Sequence, residues 1–315
     1  MRVFLTDGAL AAAKDHELIR LFSYGFEGRH RIIVPEEHRL EPWLVGQSAD
    51  VQDMVRAALY QGIQLEARTP ARFEVQVYEG QDEWTAGLLS LPTALAFLIR
   101  PFRVWVENAR NDAFFLLTAA TEEQRDWLQH WTRVTGSAPF EHGGGLGEMT
   151  ARLKQLQGAP ETPYLNAVVF DSDARRPGAP SDQTERLRLL CERMNVLHFR
   201  LNRRAAENYL PVSALSAWMG RRSEQRRRAL SAFERMNPLT HRRHFHMKGG
   251  FNADGEAFSD GFYADVSEAD RQDLTYGFSR DVQQAFRFAD EQGHRHDGTW
   301  PELQGIVSAV IEAMR

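Results

Sequence analysis

Two short apolar runs in the middle of the chain each end on acid. Phe102-Arg103-Val104-Trp105-Val106 stops at Glu107, and Ala167-Val168-Val169-Phe170 stops at Asp171-Ser172-Asp173. A β-type run that closes on a carboxylate reads as a buried parallel strand delivering that group to the sheet's C-terminal edge. Ligand sites of open α/β sheets form at this edge. Two such strands in one sheet would bring Glu107, Asp171 and Asp173 into a single cleft. Their mutual repulsion would be relieved by a divalent cation. Oxygen-only donors suit Mg²⁺ or Mn²⁺, the former taking one or two protein carboxylates and keeping waters and phosphate as its other ligands. The competing reading makes these residues ordinary capping acids at βα turns.

The elements that must position them can be read around those runs. After Glu107 comes Asn108-Ala109-Arg110-Asn111-Asp112 and a helix whose apolar face includes Phe114, Phe115, Leu117 and Leu128. The segment Ala138–His142 reads as a poor strand, followed by a tight glycine turn over Gly143–Gly147. The turn lacks the spacing of a dinucleotide or P-loop fingerprint. Ser181 or Asp182 caps the helix after Asp173. Val196–Leu201 is another strand, leading to Glu207-Asn208-Tyr209-Leu210-Pro211. The alternation of strand and helix requires a mostly parallel sheet.

The order Val-Glu, glycine turn, Val-Val-Phe-Asp-Ser-Asp resembles the Toprim domain of topoisomerases, bacterial primases and OLD-type nucleases. Arg203-Arg204-Ala205-Ala206-Glu207-Asn208-Tyr209-Leu210 is similar to the "rr-x-x-ENYL" segment of OLD-like phage-defence nucleases. The resemblance covers about residues 100–212. It implies a Toprim-like catalytic domain in which Glu107 lies near the scissile phosphate and Asp171 and Asp173 hold metal. Glu207 would ligate or support the metal. The family's glycine after the first Glu is Asn108 here, and its second acid falls on Asn111, with Asp112 one position later as the substitute ligand. OLD-like nucleases also use a lysine beyond this domain, which points to Lys248, one of only three lysines in the chain. Its compact ammonium would steady charge building on phosphorus.

The fold expected is α/β: a mostly parallel Toprim-like sheet with flanking helices, an α/β region over 1–99 and a mainly helical region over 213–315. In the first region the strands expected are Val3–Leu5, Arg31–Val34 and Phe73–Tyr78. Helices are expected from Ala9 to Leu21, from Asp50 (as N-cap) to Tyr60, and from Leu88 to Ile99. Asp7 reads as a solvated turn. In the C-terminal region Arg221, Arg222, Arg226, Arg227 and Arg228 lie along one predicted helix, and Arg242 and Arg243 follow. These arginines suit a nucleic-acid backbone, where affinity comes largely from phosphate neutralisation. His241, His244 and His246 fit either a zinc site or a phosphate-facing strand.

Composition sets bounds. At 315 residues the chain holds one large domain or two, and a net charge of −5 excludes a wholly basic nucleic-acid coat. The single cysteine, Cys191, excludes an internal disulfide or a cysteine zinc cluster and reads as a core thiol. No apolar run is long enough for a membrane helix, so a cytoplasmic location without membrane contact is expected. The function that the resemblance implies is a metal-dependent nuclease acting on DNA or RNA in antiviral defence, with a separate ATPase subunit and self-association as the partners expected. Two other readings stay open: a different Toprim activity, and a non-catalytic nucleic-acid-binding or assembly subunit with a degenerate site.

Overall fold

The computed structural model describes residues 1–68, 74–220, 224–254 and 261–315, the side chains of 66–68 and 109–111 excepted. The chain forms two four-stranded sheets in succession. The first holds β1 (Arg2–Leu5), β2 (Arg31–Ile33), β3 (Glu74–Val77) and β4 (Leu88–Leu89), in the order β2-β1-β3-β4. The second holds β5 (Arg103–Val106), β6 (Phe140–His142), β7 (Asn166–Phe170) and β8 (Leu197–Arg200), in the order β6-β5-β7-β8. All pairings within both sheets are parallel, as the alternation of strands and helices requires.

The second sheet shows why its central strands read as unbroken apolar runs. Successive side chains point to opposite faces, and both faces are covered. Val104, Val106, Ala167 and Val169 join a core that includes Phe115 and Leu116 of the helix Ala109–Thr118 and Leu303, Ile306 and Val310 of the helix Trp300–Met314. Trp105, Val168 and Phe170 pack oppositely against Leu146, Met149 and Leu153 of the helix Leu146–Gln155 and Leu187, Leu190 and Cys191 of the helix Asp182–Arg193. Cys191 is therefore the core thiol expected, and burial pushes its pKa up to about 12.

Several sequence expectations are corrected. Ala138–His142 contains the edge strand β6, which pairs with β5 from Val104 to Val106. The helix after Glu107 is two helices, Ala109–Thr118 and Glu122–Thr135; Thr121 and Gln124 form a capping box at the start of the second, and Phe114 faces solvent. Likewise Asp7–Ala12 and Asp15–Phe26 replace one helix, because Ala13 turns to extended backbone. Ala49–Arg68 runs past Tyr60 with Asp50 inside its first turn, and Leu88–Leu89 is a short strand before the helix Leu91–Leu98. Phe73 lies outside the described residues. The segment after 212 is not merely a polar surface: Phe245, Met247, Phe278 and Phe286 share the core of the second sheet, so no division of cores falls at 212. The first sheet has its own core, which Leu165 also enters, and Tyr164 donates its hydroxyl to the Trp84 carbonyl across the two halves (3.2 Å).

Candidate acidic site

Glu107 and Asp171 follow β5 and β7, one and two residues beyond the paired Val106 and Val169. Both therefore reach the same sheet edge. The Asp171 N–H donates to Glu107 Oε1 at 3.1 Å, closing the two strand ends on each other. The turn after Asp171 is sewn to the segment after β8. Ser172 Oγ donates to the Arg203 carbonyl (2.7 Å), the Asp173 N–H to the Arg204 carbonyl (2.8 Å), and the Ala206 N–H to Asp171 Oδ1 (2.9 Å). This stitching needs a sharp bend, and Asp173 adopts it with φ +49°, a conformation that Asp tolerates better than most residues. It also delivers Glu207, in the 3-10 turn Ala206–Tyr209, to the acids. On the other side, Gly143 N–H donates to the Val106 carbonyl (2.7 Å), so the glycine turn lies against the end of β5. A Cβ on Gly143 would come within 2.9 Å of that same carbonyl, which explains the need for glycine there.

Asp112 turns back on its own helix start, accepting from the Asn108 N–H at 2.7 Å. Glu107, Asp112 and Asp171 line one small cleft above Phe115 and Val169. Lys248 lies across from them, its Nζ 2.6 Å from Glu207 Oε1. The lysine's loop is fixed by an interlock of two glycines at positive φ, Gly250 and Gly277. A Cβ on either would collide with the other's backbone N, at 2.2 and 2.7 Å.

The electrostatics follow from crowding like charges into a buried place. Burial pushes Glu107 up to about 7, opposed by the Asp171 N–H and reinforced by the charges of Asp173, Asp112 and Glu207. Burial raises Asp112 to about 6, with Glu207 adding and Lys248 opposing. Asp171 is raised well above the carboxylate range by burial and then by Glu107 and Glu207. Asp173 is raised by burial despite the nearby charges of Arg204, His246 and Lys248. Burial works against the Lys248 ammonium, but Glu207 outweighs it and raises its pKa, so the lysine stays charged. Among the described residues no three His, Cys, Asp or Glu side chains close into a ligating set. Each of Glu107, Asp112 and Asp171 instead accepts a backbone N–H. The donor set nonetheless suits a hard cation, since all its atoms are carboxylate oxygens whose protonation relieves the same repulsion a dication would relieve.

The three histidines are not brought together. They do not form a strand: His241–His244 is a helical turn. His241 Nε2 meets the Phe262 carbonyl, His244 Nδ1 the Ala174 carbonyl, and His246 Nδ1 accepts from the Gly249 N–H (3.0, 2.8 and 2.9 Å). The zinc reading is thereby overturned. Arg242 is turned inward, its Nε donating to the carbonyls of Phe233 and Met236, which corrects its assignment to nucleic-acid contact. Arg243 differs, for its Nε is buried without a partner. Arg226 and Arg227 lie on the helix Glu224–Arg235, Arg227 exposed and Arg226 over the Trp218 ring. Arg221 and Arg222 fall outside the described residues. Sequence reading missed a buried clamp behind the site. Arg204 Nη1 reaches both oxygens of the fully buried Asp254 at 2.7 Å and the His244 carbonyl at 3.1 Å. Asn208 donates to the carbonyls of Arg242 and Phe245, and Tyr209 to Glu302. The Arg203–Leu210 segment was visible as a motif, but nothing around Asp254 marked it as the partner.

Fold and site thus define an α/β protein with a cluster of strained carboxylates and one lysine at a parallel-sheet edge. Compared with protein-family models, curated proteins and solved structures, the chain finds no match in any of the three.

Proposed function

We propose that the second sheet is a Toprim domain and that the chain is a metal-dependent nuclease. The observation that carries this reading is the meeting of Glu107 and Asp171, from the ends of β5 and β7, with Glu207 from the 3-10 turn beyond β8, and Lys248 ion-paired to the last. Glu107, Asp171 and Asp173 would hold Mg²⁺ or Mn²⁺, with Asp112 beside them. When bound, the metal would activate water and neutralise charge on the phosphate. Lys248 would steady the charge developing on phosphorus, and Glu207 aims it. Glu107, held near 7, is suited to take a proton at neutral pH when it is not ligating. Arg227, exposed on the helix Glu224–Arg235, would follow the nucleic-acid backbone as a counter-charge. The setting that accompanies the resemblance, cytoplasmic antiviral defence with a separate ATPase, belongs to the same proposal; no helix among the described residues is long and apolar enough to cross a membrane.

The test is to incubate the protein with plasmid DNA and with RNA under Mn²⁺, Mg²⁺ or EDTA. The expected result is cutting with metal, none with EDTA and none by Asp171→Ala. Binding without cutting under every metal would favour instead a non-catalytic subunit, and cutting that survives Asp171→Ala and Glu107→Ala would remove the acidic site from the chemistry.

A further inference from the structure

An apolar groove of about 590 Å³ opens beside the outer edge of the second sheet. Its walls are Ala113 and Leu117 of the helix Ala109–Thr118, Leu128 and Thr132 of the helix Glu122–Thr135, and Pro139 and Phe140 at the start of β6. Phe140 pairs with Val104, so its ring points to the same face of the sheet, toward these helices. Glu141 points to the opposite face, where it meets Arg103 at 3.3 Å. The strand's acid therefore stays out of the groove.

β6 ends its sheet, and only half of its backbone is paired. The Pro139 carbonyl accepts from the Val104 N–H (2.8 Å) and the Gly143 N–H donates to the Val106 carbonyl (2.7 Å), so the odd-numbered positions face β5. The N–H and C=O of Phe140 and the N–H of His142 point the other way, where no strand lies among the described residues. The His142 carbonyl accepts from Arg152 Nη1 at 2.9 Å. An open edge of this kind can take up an extended peptide as a further strand, held by main-chain hydrogen bonds and selected by pockets for alternate side chains. Phe140 joins the two features, since its backbone forms the edge and its ring the groove. A strand added to β6 would set alternate side chains into that groove.

Charge narrows the occupant. Arg125 and Arg133 also line the groove, and no acid does. Arg125 Nη1 donates to the Ala120 carbonyl at 2.6 Å, a neutral acceptor, and Arg133 is exposed with no ion-pair partner among the described residues. Eight residues apart on one helix, the two arginines start about 12 Å apart, close to the ~13 Å between positions i and i+4 of a strand. We propose that the groove binds an extended acidic segment of a partner protein, paired as a strand with β6. An apolar side chain would sit against Leu117 and Phe140, with carboxylates two residues to either side meeting Arg125 and Arg133. The proposal does not depend on the chemistry at Glu107 and Asp171.

The experiment uses a fluorescein-labelled peptide of sequence Thr-Glu-Thr-Phe-Thr-Glu-Thr, titrated with the full chain in EDTA and followed by fluorescence polarisation. Binding with Kd below about 100 µM is expected. Replacing its phenylalanine by serine, or both glutamates by lysine, should each weaken binding by about tenfold or more. Strand pairing has its own signature: N-methylation of one alternate set of peptide amides should abolish binding, while methylation of the other set leaves it within about threefold. Arg133→Glu, at an exposed position that leaves the fold intact, should weaken binding by about fivefold or more, whereas Arg193→Glu, exposed on the helix Asp182–Arg193, should not change it. Absence of binding at about 500 µM chain would overturn the proposal. Undiminished binding by the lysine peptide or by Arg133→Glu would do so too, as would equal effects of the two methylated sets. Concentration-dependent dimers of the chain that vanish in Arg133→Glu would assign the groove to a second copy and overturn it as well.

Discussion

The two sheets have the same strand order and the same parallel sense, yet their C-terminal edges are opposite in character. At the edge of the first sheet the acids are matched. Asp7 lies 2.7 Å from Arg39, and Thr6 accepts from the Ala9 N–H at the start of its helix. Burial opposes the Asp82 charge, but hydrogen bonds from the Ser90 N–H and the Thr93 hydroxyl, both 2.7 Å, together outweigh it and hold its pKa below the ordinary value. At the edge of the second sheet Glu107, Asp112, Asp171 and Asp173 are all pushed the other way. The same topology thus carries one edge at electrostatic rest and one under load. The topology alone does not make a site; burying several acids beside too few cations does.

The comparison breaks most sharply through activity. Asp171→Asn should lower metal-dependent cutting by roughly 10³-fold, a loss typical of removing a group that stabilises transition-state charge. Asp82→Asn, at the corresponding edge of the first sheet, should leave the rate within about twofold, since an exposed, already satisfied acid has no such part to play. Initial rates on a plasmid substrate decide it. Equal losses in the two variants would mean that the edges are not functionally distinct.

Stability should separate the same two regions. Asp254 is fully buried against Arg204, so Asp254→Ala leaves a guanidinium without its partner and should cost about 3–5 kcal/mol. Asp7→Ala breaks a solvent-exposed pair and should cost about 0–1 kcal/mol. Urea unfolding of both variants reads this directly. A small loss in Asp254→Ala would show that the clamp behind the acids does not hold the Arg203–Leu210 segment.

How much of this contrast the sequence carried depends on range. Glu107 and Asp171 were legible because each ends a short unbroken apolar run, and a parallel sheet fixes where such runs terminate. Glu207 was legible as an acid beyond the strand Val196–Leu201 and Lys248 as one of three lysines, but the role of each came through the resemblance, since neither directly ends an apolar run. The strand order of the first sheet was not legible, because β4 is two residues long and merges with the apolar helix after it. The inward turn of Arg242 and the pairing of Arg204 with Asp254 were invisible for a related reason. Both depend on contacts across the C-terminal helices, and a charged side chain looks the same in a sequence whether it meets water or a buried partner.

The load on the second edge can be read without any substrate. Glu107 has a folded pKa near 7 against an ordinary value of 4.5, so the folded state binds this proton more tightly than the unfolded chain does. The associated stability is fully present below about pH 4.5 and is lost as pH rises through 7. Wild-type protein in EDTA should therefore lose on the order of 1–3 kcal/mol between pH 5 and 7.5 from this group. Glu107→Gln mimics the protonated acid and can still accept the Asp171 N–H, so it should flatten that slope and melt above wild type at pH 7.5. Asp82 has the opposite sign. Its folded pKa is depressed, its contribution is present at neutral pH and lost on acidification, and Asp82→Asn should melt slightly below wild type at pH 7.5. Adding Mn²⁺ at pH 7.5 should raise the melting temperature of wild type more than that of Glu107→Gln, because a dication relieves repulsion that the amide never had. Melting curves for the three proteins at pH 5 and 7.5, with and without Mn²⁺, give both signs at once. Parallel pH profiles for Glu107→Gln and wild type would show that the crowded acids are not under load.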